Sequence, residues 1–140
     1  AQSVFPEGKV ITFEKNKKHI EIIRKNLTMS PYSNLVTLNH NELKEDTEII
    51  SCNCIILDLP NPHRIVDWAA KSLELGGKLL SYVPTINQVE KLLTSLETWG
   101  QIEVSESIHR TWQSRSKAIR PDTNLIGHTG FIVSARLFIK

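Results

Sequence analysis

Two carboxylates stand where an apolar run gives way to a polar one. Asp58 directly follows Ile55, Ile56 and Leu57 and precedes Leu59-Pro60-Asn61-Pro62. That tail can continue neither a helix nor a strand, because each proline lacks an N–H and pushes the residue before it into extended backbone. A charge so close to buried aliphatics is expensive unless it is hydrogen-bonded or faces a cleft. An extended proline turn can also aim carbonyls at a ligand; the other role open to Asp58 is capping or bracing the loop. Glu14 closes the run 8–14. A carboxylate at a strand end can accept hydrogen bonds from both adjacent hydroxyls of a ribose, or it can simply be solvated. Asn41 and Glu42 follow the next apolar run and suit a purine edge or a solvated loop, and Tyr82 and Pro84 close a fourth.

The elements that must position these residues alternate. Residues 8–14 read as a strand, and 15–27 as a helix with Asn16 as N-cap and Ile20, Ile23 and Leu27 at helical spacing. Residues 34–40 form a second strand, 41–50 a polar connection with room for a helical turn, and 53–59 a third strand, apolar on both faces as a central parallel strand should be. Residues 62–77 set Ile65, Trp68, Ala69 and Leu73 on one helical face and stop at a double glycine suited to a left-handed C-cap. A fourth strand covers 78–84, and a third helix covers 85–100, with Ile86, Val89, Leu92, Leu93 and Leu96 inward. The runs 101–112 and 130–139 alternate as long strands and predict a closing antiparallel pair. Strands interleaved with helices imply an α/β, Rossmann-like sheet, mostly parallel, with helices on both faces. Ligands of such sheets sit outside the carboxyl ends of the strands, where the polar residues above collect.

The chain of 140 residues is one domain's worth, and its net charge of +2 is too small to argue for nucleic acid without a local cluster. No window approaches the roughly 20 apolar residues that span a bilayer, so the expectation is a cytoplasmic protein without membrane contact. Cys52 and Cys54, the only cysteines, point to one face of a strand and are expected as small buried residues, with no metal site.

In order and spacing, "VITFEKNKKH", "LVTLNHNEL", "IILDLPNP", "LGGKLLSYVPTINQVEKLL", "HRTWQSR" and "RPDTNLIGHTGFIVSARL" resemble the S-adenosylmethionine-dependent tRNA (adenine-58-N1) methyltransferases, especially the archaeal type. Asp-Leu-Pro-x-Pro, Pro-x-x-x-Gln-Val, and Arg-Pro followed by His-Thr-Gly are specific in combination. The resemblance implies a class I methyltransferase sheet that binds S-adenosyl-L-methionine and methylates N1 of adenine 58, with or without its neighbour 57, in the T loop of tRNA. It implies that Glu14 holds the cofactor ribose, that His19 supplies a basic contact, and that Asn41 and Glu42 lie beside the cofactor adenine, where the family usually has Asp in place of Glu42. Asp58 falls between methyl donor and target base, Tyr82 near the target adenine, and Gln88 on a matching helix position. Thr85 stands where many relatives have Cys.

The connection bearing Arg110, Arg115, Lys117 and Arg120 would read as a solvated loop from composition alone; the resemblance turns it toward tRNA phosphates and sets His128 and Thr129 near the bound adenosine. It further implies a glycine-rich loop and a central strand ahead of Ala1. The chain is therefore expected to be the carboxy-terminal portion of one catalytic domain, incomplete at its N-terminal side, weak in cofactor binding alone, and partnered by that missing portion or by further copies in a tetramer. Two other functions fit less of the sequence: a tRNA-binding companion subunit without activity, and a small-molecule methyltransferase on the same sheet.

Overall fold

The computed structural model describes the chain except residues 116, 117, 125 and 140, and except the side chains at 115 and 118. It forms two compact units, residues 1–44 and 45–140.

In the first unit a 3₁₀ turn over Gln2–Val4 precedes β1 (Val10–Phe13), α1 (Lys17–Thr28), a second 3₁₀ turn (Ser33–Leu35) and β2 (Val36–Asn39). Asn16 starts α1 as expected: its side-chain oxygen accepts the Lys18 N–H at 2.9 Å, satisfying one of the amides that a helix start leaves unpaired. Ile20 is the buried anchor of that helix. β1 and β2 pair in parallel from Val10↔Val36 to Phe13↔Asn39, and the Glu14 N–H extends the ladder to the Asn39 carbonyl at 3.1 Å.

The second unit contains β3 (Cys52–Leu57), a 3₁₀ turn (Pro62–Ile65), α2 (Val66–Ser72), β4 (Leu73–Val83), α3 (Ile86–Ser95), β5 (Gly100–Glu106), β6 (Trp112–Arg115), β7 (Ala118–Pro121) and β8 (Phe131–Arg136). Its main sheet has the order β3-β4-β8-β5. β3 and β4 are parallel, while β8 runs antiparallel to both β4 and β5, so the closing antiparallel pair is present. Ile55, Leu57, Leu79, Val83, Val133 and Ala135 line the buried face against Ile65, Ala69, Val89, Leu92 and Leu96. Each Ile, Leu and Val among them contributes roughly 1.5–3 kcal/mol by leaving water.

Among the described residues β1 pairs with β2, and β3, β4, β8 and β5 form a separate ladder. Several finer expectations need correction. The helices of the second unit cover one face of its sheet, not both: on the other face Ile56 is 75% exposed and Ile132 45% exposed. β3 accordingly lies at an edge and is not buried on both sides. Cys54 is exposed and Cys52 half-buried, because the residues of β3 that reach the core begin only at Ile55. The connection 41–50 holds no helical turn; Trp68 pins it instead, donating its indole N–H to the carbonyls of Thr47 at 3.0 Å and Glu48 at 3.3 Å. In α3 the buried side chains are Val89 and Leu92, with Leu96 at the cap, whereas Ile86 points outward. The strand expected over 101–112 stops at Glu106, and a separate β6–β7 hairpin starts at Trp112.

The helix expected over 62–77 also divides, into the 3₁₀ turn and α2, and Leu73 already belongs to β4. The register runs Cys52↔Leu73 and then Cys54↔Lys78, so Glu74–Gly77 bulge out of the ladder. Gly76 adopts φ +82° there, and its N–H reaches the Leu137 carbonyl at 2.7 Å. A bulge and a helix C-cap both call for a residue in left-handed conformation, which is why the double glycine suggested the wrong element. Glu74 in the bulge accepts from Asn53 Nδ2 at 2.6 Å. No atom lies within 4 Å of a Cβ built on Gly76. Gly76→Ala should therefore cost only the left-handed backbone penalty, about 1–2 kcal/mol, read by urea denaturation as a lower midpoint with an unchanged slope.

Candidate functional site

Parallel pairing of β3 and β4 sends both carboxyl ends to one edge of the second unit, where β8 begins and β5 ends. Asp58 leaves β3 at this edge. Its side chain is exposed and makes no hydrogen bond or ion pair with a described residue. The backbone around it is held on both sides. One residue earlier, the Leu57 carbonyl accepts the buried Ser81 hydroxyl at 3.3 Å; two residues later, the Pro60 carbonyl accepts Gln88 Nε2 at 2.9 Å. Gln88 belongs to a capping box that starts α3. Its Oε1 accepts the Thr85 N–H at 3.1 Å and the Thr85 hydroxyl at 2.7 Å, and its own N–H approaches Thr85 Oγ1 at 3.4 Å.

Tyr82, near the end of β4, lies at the same edge, 40% exposed. Its hydroxyl donates to the Thr129 carbonyl, so it braces the segment that leads into β8 as well as presenting its ring. A Cβ on Gly130 would stand 2.5 Å from Cε2 and Cζ of that ring; glycine is what lets the ring lie against the backbone. His128 ties the same segment to the end of β4 and to β5. Its Nε2 meets the Pro84 carbonyl at 2.7 Å, its Nδ1 meets Glu106 Oε1, and its ring tilts against Phe131 with centroids 4.8 Å apart. A carbonyl and a carboxylate can only accept, so both ring nitrogens must donate, which describes the imidazolium. The Pro84 carbonyl foremost, and then Glu106, raise the His128 pKa above its ordinary value. Glu106 and Ser81 were not legible as site residues. Only the end of β5, fixed by its pairing with β8, brings Glu106 to this edge.

In the first unit the parallel pair collects Glu14, Asn41 and Glu42 at its own carboxyl edge. Glu14 Oε1 accepts the Asn16 N–H at 2.7 Å and Oε2 meets His19 Nδ1 at 3.2 Å. The Asn16 amide chiefly, followed by His19, holds the Glu14 carboxyl below its usual range, so it stays ionised with lone pairs still open to solvent. Those open lone pairs can accept hydrogen bonds from further donors, such as a pair of adjacent hydroxyls. His19 contacts the carboxylate, an arrangement in which it orients Glu14. Glu42 is engaged by Lys15 Nζ at 2.6 Å, an exposed pair that lowers the Glu42 pKa and raises that of Lys15. Asn41 is exposed. The strand-end residues thus fall into two sets, each gathered at the edge of its own sheet.

Of the basic connection, Arg110 is exposed, and Arg120 on β7 donates Nε to Gln113 Oε1 at 3.3 Å across the hairpin. Arg115 ends β6, its side chain lying outside the described residues, as does Lys117 altogether. Asp122 closes the hairpin base, its N–H reaching the Thr111 carbonyl at 2.9 Å and its carboxylate accepting from Thr111 and Gln113 at 3.4 Å.

The raised His128 pKa carries a pH dependence. A group whose folded pKa lies above its unfolded value stabilises fully below the unfolded pKa and loses that contribution as pH rises through the folded one. Thermal stability should therefore fall as pH increases upward from the ordinary imidazole range, and His128→Gln should flatten that slope. Melting temperatures across pH 6 to 9, in about half-unit steps, check both.

The chain is similar to the tRNA (adenine(57)-N(1)/adenine(58)-N(1))-methyltransferase TrmI of Methanocaldococcus jannaschii, at 28% identity over 98% of the chain and 58% of the relative. Among solved structures it matches TrmI, the tRNA (m1A58) methyltransferase of Aquifex aeolicus, with a TM-score of 0.82 and 28% identity over 94% of this chain and 54% of that one. A SAM-dependent O-methyltransferase of Thermotoga maritima matches with a TM-score of 0.86 and 27% identity over 95% and 51%. The chain thus spans little more than half the length of these proteins, and the fold is the Rossmann-like class I methyltransferase fold. Residues 1–120 match the family described as the tRNA methyltransferase complex GCD14 subunit, and the chain belongs to that family.

Proposed function

We propose that this chain supplies both strand-end sets of a tRNA adenine-N1 methyltransferase that uses S-adenosyl-L-methionine and acts on adenine 58, with or without adenine 57. The observation that carries the reading is Asp58: an exposed carboxylate without a partner among the described residues, on a backbone held at Leu57 and Pro60, at the same edge as Tyr82 and Thr129. The naming of TrmI relatives as adenine-N1 methyltransferases supports it.

When bound, the cofactor supplies an electrophilic methyl group whose thioether departs without help. The residues of this chain bind, align and stabilise. Glu14, kept ionised and oriented by Asn16 and His19, accepts hydrogen bonds from the ribose hydroxyls, and Asn41 and Glu42 flank the cofactor adenine once Glu42 exchanges Lys15 for it. Base pairing occupies N1 in folded tRNA, so the target adenine must leave its stack. Asp58 then accepts a hydrogen bond from the exocyclic amine. As the N1 lone pair bonds the methyl carbon, positive charge passes to the ring, and a carboxylate on the amine stabilises it where it develops. Tyr82, its hydroxyl committed to Thr129, offers its ring for stacking. Arg110, Arg115, Lys117 and Arg120 meet tRNA phosphates, with His128 and Thr129 shaping the adenosine side of the cleft.

Both units belong to one catalytic domain in this reading. The family's description as a complex subunit, and the eukaryotic relatives named as catalytic subunits, support an assembled protein, proposed as a homotetramer. A tRNA substrate supports a cytoplasmic location.

Incubating the complete gene product with unmodified tRNA and methyl-labelled cofactor should put label in 1-methyladenosine. Bound but unlabelled tRNA would support a companion subunit instead, and no interaction a small-molecule enzyme. Asp58→Ala should abolish turnover while leaving tRNA affinity nearly intact. Charge reversal at Arg115 and Lys117 should do the opposite, weakening tRNA binding with a shallower salt dependence, measured by filter binding over a salt series.

A further inference from the structure

Gln88 uses its side chain in two directions. Oε1 takes the Thr85 N–H and hydroxyl inside the capping box, at 3.1 and 2.7 Å, while Nε2 leaves the helix and donates to the Pro60 carbonyl at 2.9 Å. The partners fix which end is which: the Thr85 amide can only donate and the Pro60 carbonyl can only accept. A capping box needs Oε1 alone, so the bond to Pro60 is surplus to helix stability.

That surplus bond falls where two prolines leave the backbone short of donors. Pro60 and Pro62 have no N–H, and from Asp58 to Asn61 the backbone bond within the loop is that of the Asn61 carbonyl with the Arg64 N–H at 3.2 Å. On the strand side Ser81 holds Leu57; on the loop side Gln88 holds Pro60. Between these two anchors sits Asp58, whose carboxylate has no hydrogen-bond or ion-pair partner among the described residues.

We propose that Gln88 is a positioning residue for methyl transfer, tethering the Asp-Leu-Pro loop to the start of α3 so that the Asp58 carboxylate is held at the target amine. This rests on the function proposed above and assigns to Gln88 a role separate from helix capping. Misplacing a catalytic group by about 1 Å can cost on the order of a hundredfold in rate, which sets the scale of the effect.

Gln88→Glu separates the two roles. A carboxylate keeps the acceptor for Thr85 and is favoured near a helix N-terminus, but it faces the Pro60 carbonyl with lone pairs only. In the complete gene product, with unmodified tRNA and S-adenosyl-L-methionine, the variant should keep or raise the melting temperature and leave both KM values little changed. Its kcat should fall about ten- to a hundredfold. Hydrogen exchange at the Leu59 and Asn61 amides should quicken. An active wild type with an equally active Gln88→Glu variant overturns the proposal. So does a fall in kcat with unaltered exchange at those amides, because Gln88 would then act otherwise than through the loop. A wild type that transfers no methyl to tRNA removes the functional reading itself, and the tether's catalytic meaning with it.

Discussion

The parallel pairing of β3 with β4, in register from Cys54↔Lys78 to Leu57↔Ser81, is the constraint on which the site of the second unit depends. Parallel strands must finish at the same edge, so the residue that leaves β3 and the residues that finish β4 are neighbours whatever the connection between them does. The antiparallel insertion of β8 beside β4 then starts the last strand at that edge, bringing Thr129 and His128 to Tyr82 and Pro84. Buried Leu57, Leu79, Val83 and Val133 fix the face of each strand. A slip of one residue would turn them to water and carry Asp58 with them.

Much of this was legible because the signals are local. Asn16 before an amphipathic run, Thr85 three residues ahead of Gln88, and proline after the strand ending at Leu57 each dictate backbone geometry by themselves. Asp58 and Glu14 stood out as charges at the ends of apolar runs, and the structure has both at strand ends. What sequence could not show was decided by pairing. Leu73 has helical spacing from Ile65 and Ala69, yet β4 takes it. The Gly76-Gly77 pair suits a helix stop and serves a bulge whose amide is paired with Leu137, far along the chain. The β6–β7 hairpin hides in a polar connection because its described side chains, at 112–114 and 119–121, are exposed or half-buried, so no apolar alternation marks it.

The burial of Ile55 and Leu57 but not Ile56 sharpens the question raised by Asp58. A strand apolar on both faces suggests a carboxylate emerging from deep in a core, where desolvation would be costly. Among the described residues one face of β3 is packed, while Ile56 on the other face is exposed, as is Asp58. A group in that situation can retain its full hydrogen-bonding capacity for a ligand.

The other acids at strand ends are spoken for. Glu14 is held by the Asn16 amide and His19, Glu42 by Lys15, and Glu106 by His128. These bonds orient the acids, and any ligand that takes all of one's lone pairs must displace its partner. Asp58 is held differently, through the carbonyls of Leu57 and Pro60 rather than through its own oxygens. Orientation by backbone leaves the Asp58 carboxylate held in place and, among the described residues, unengaged. At the edge of the second unit, Glu106 is therefore restrained through its side chain and Asp58 through its main chain.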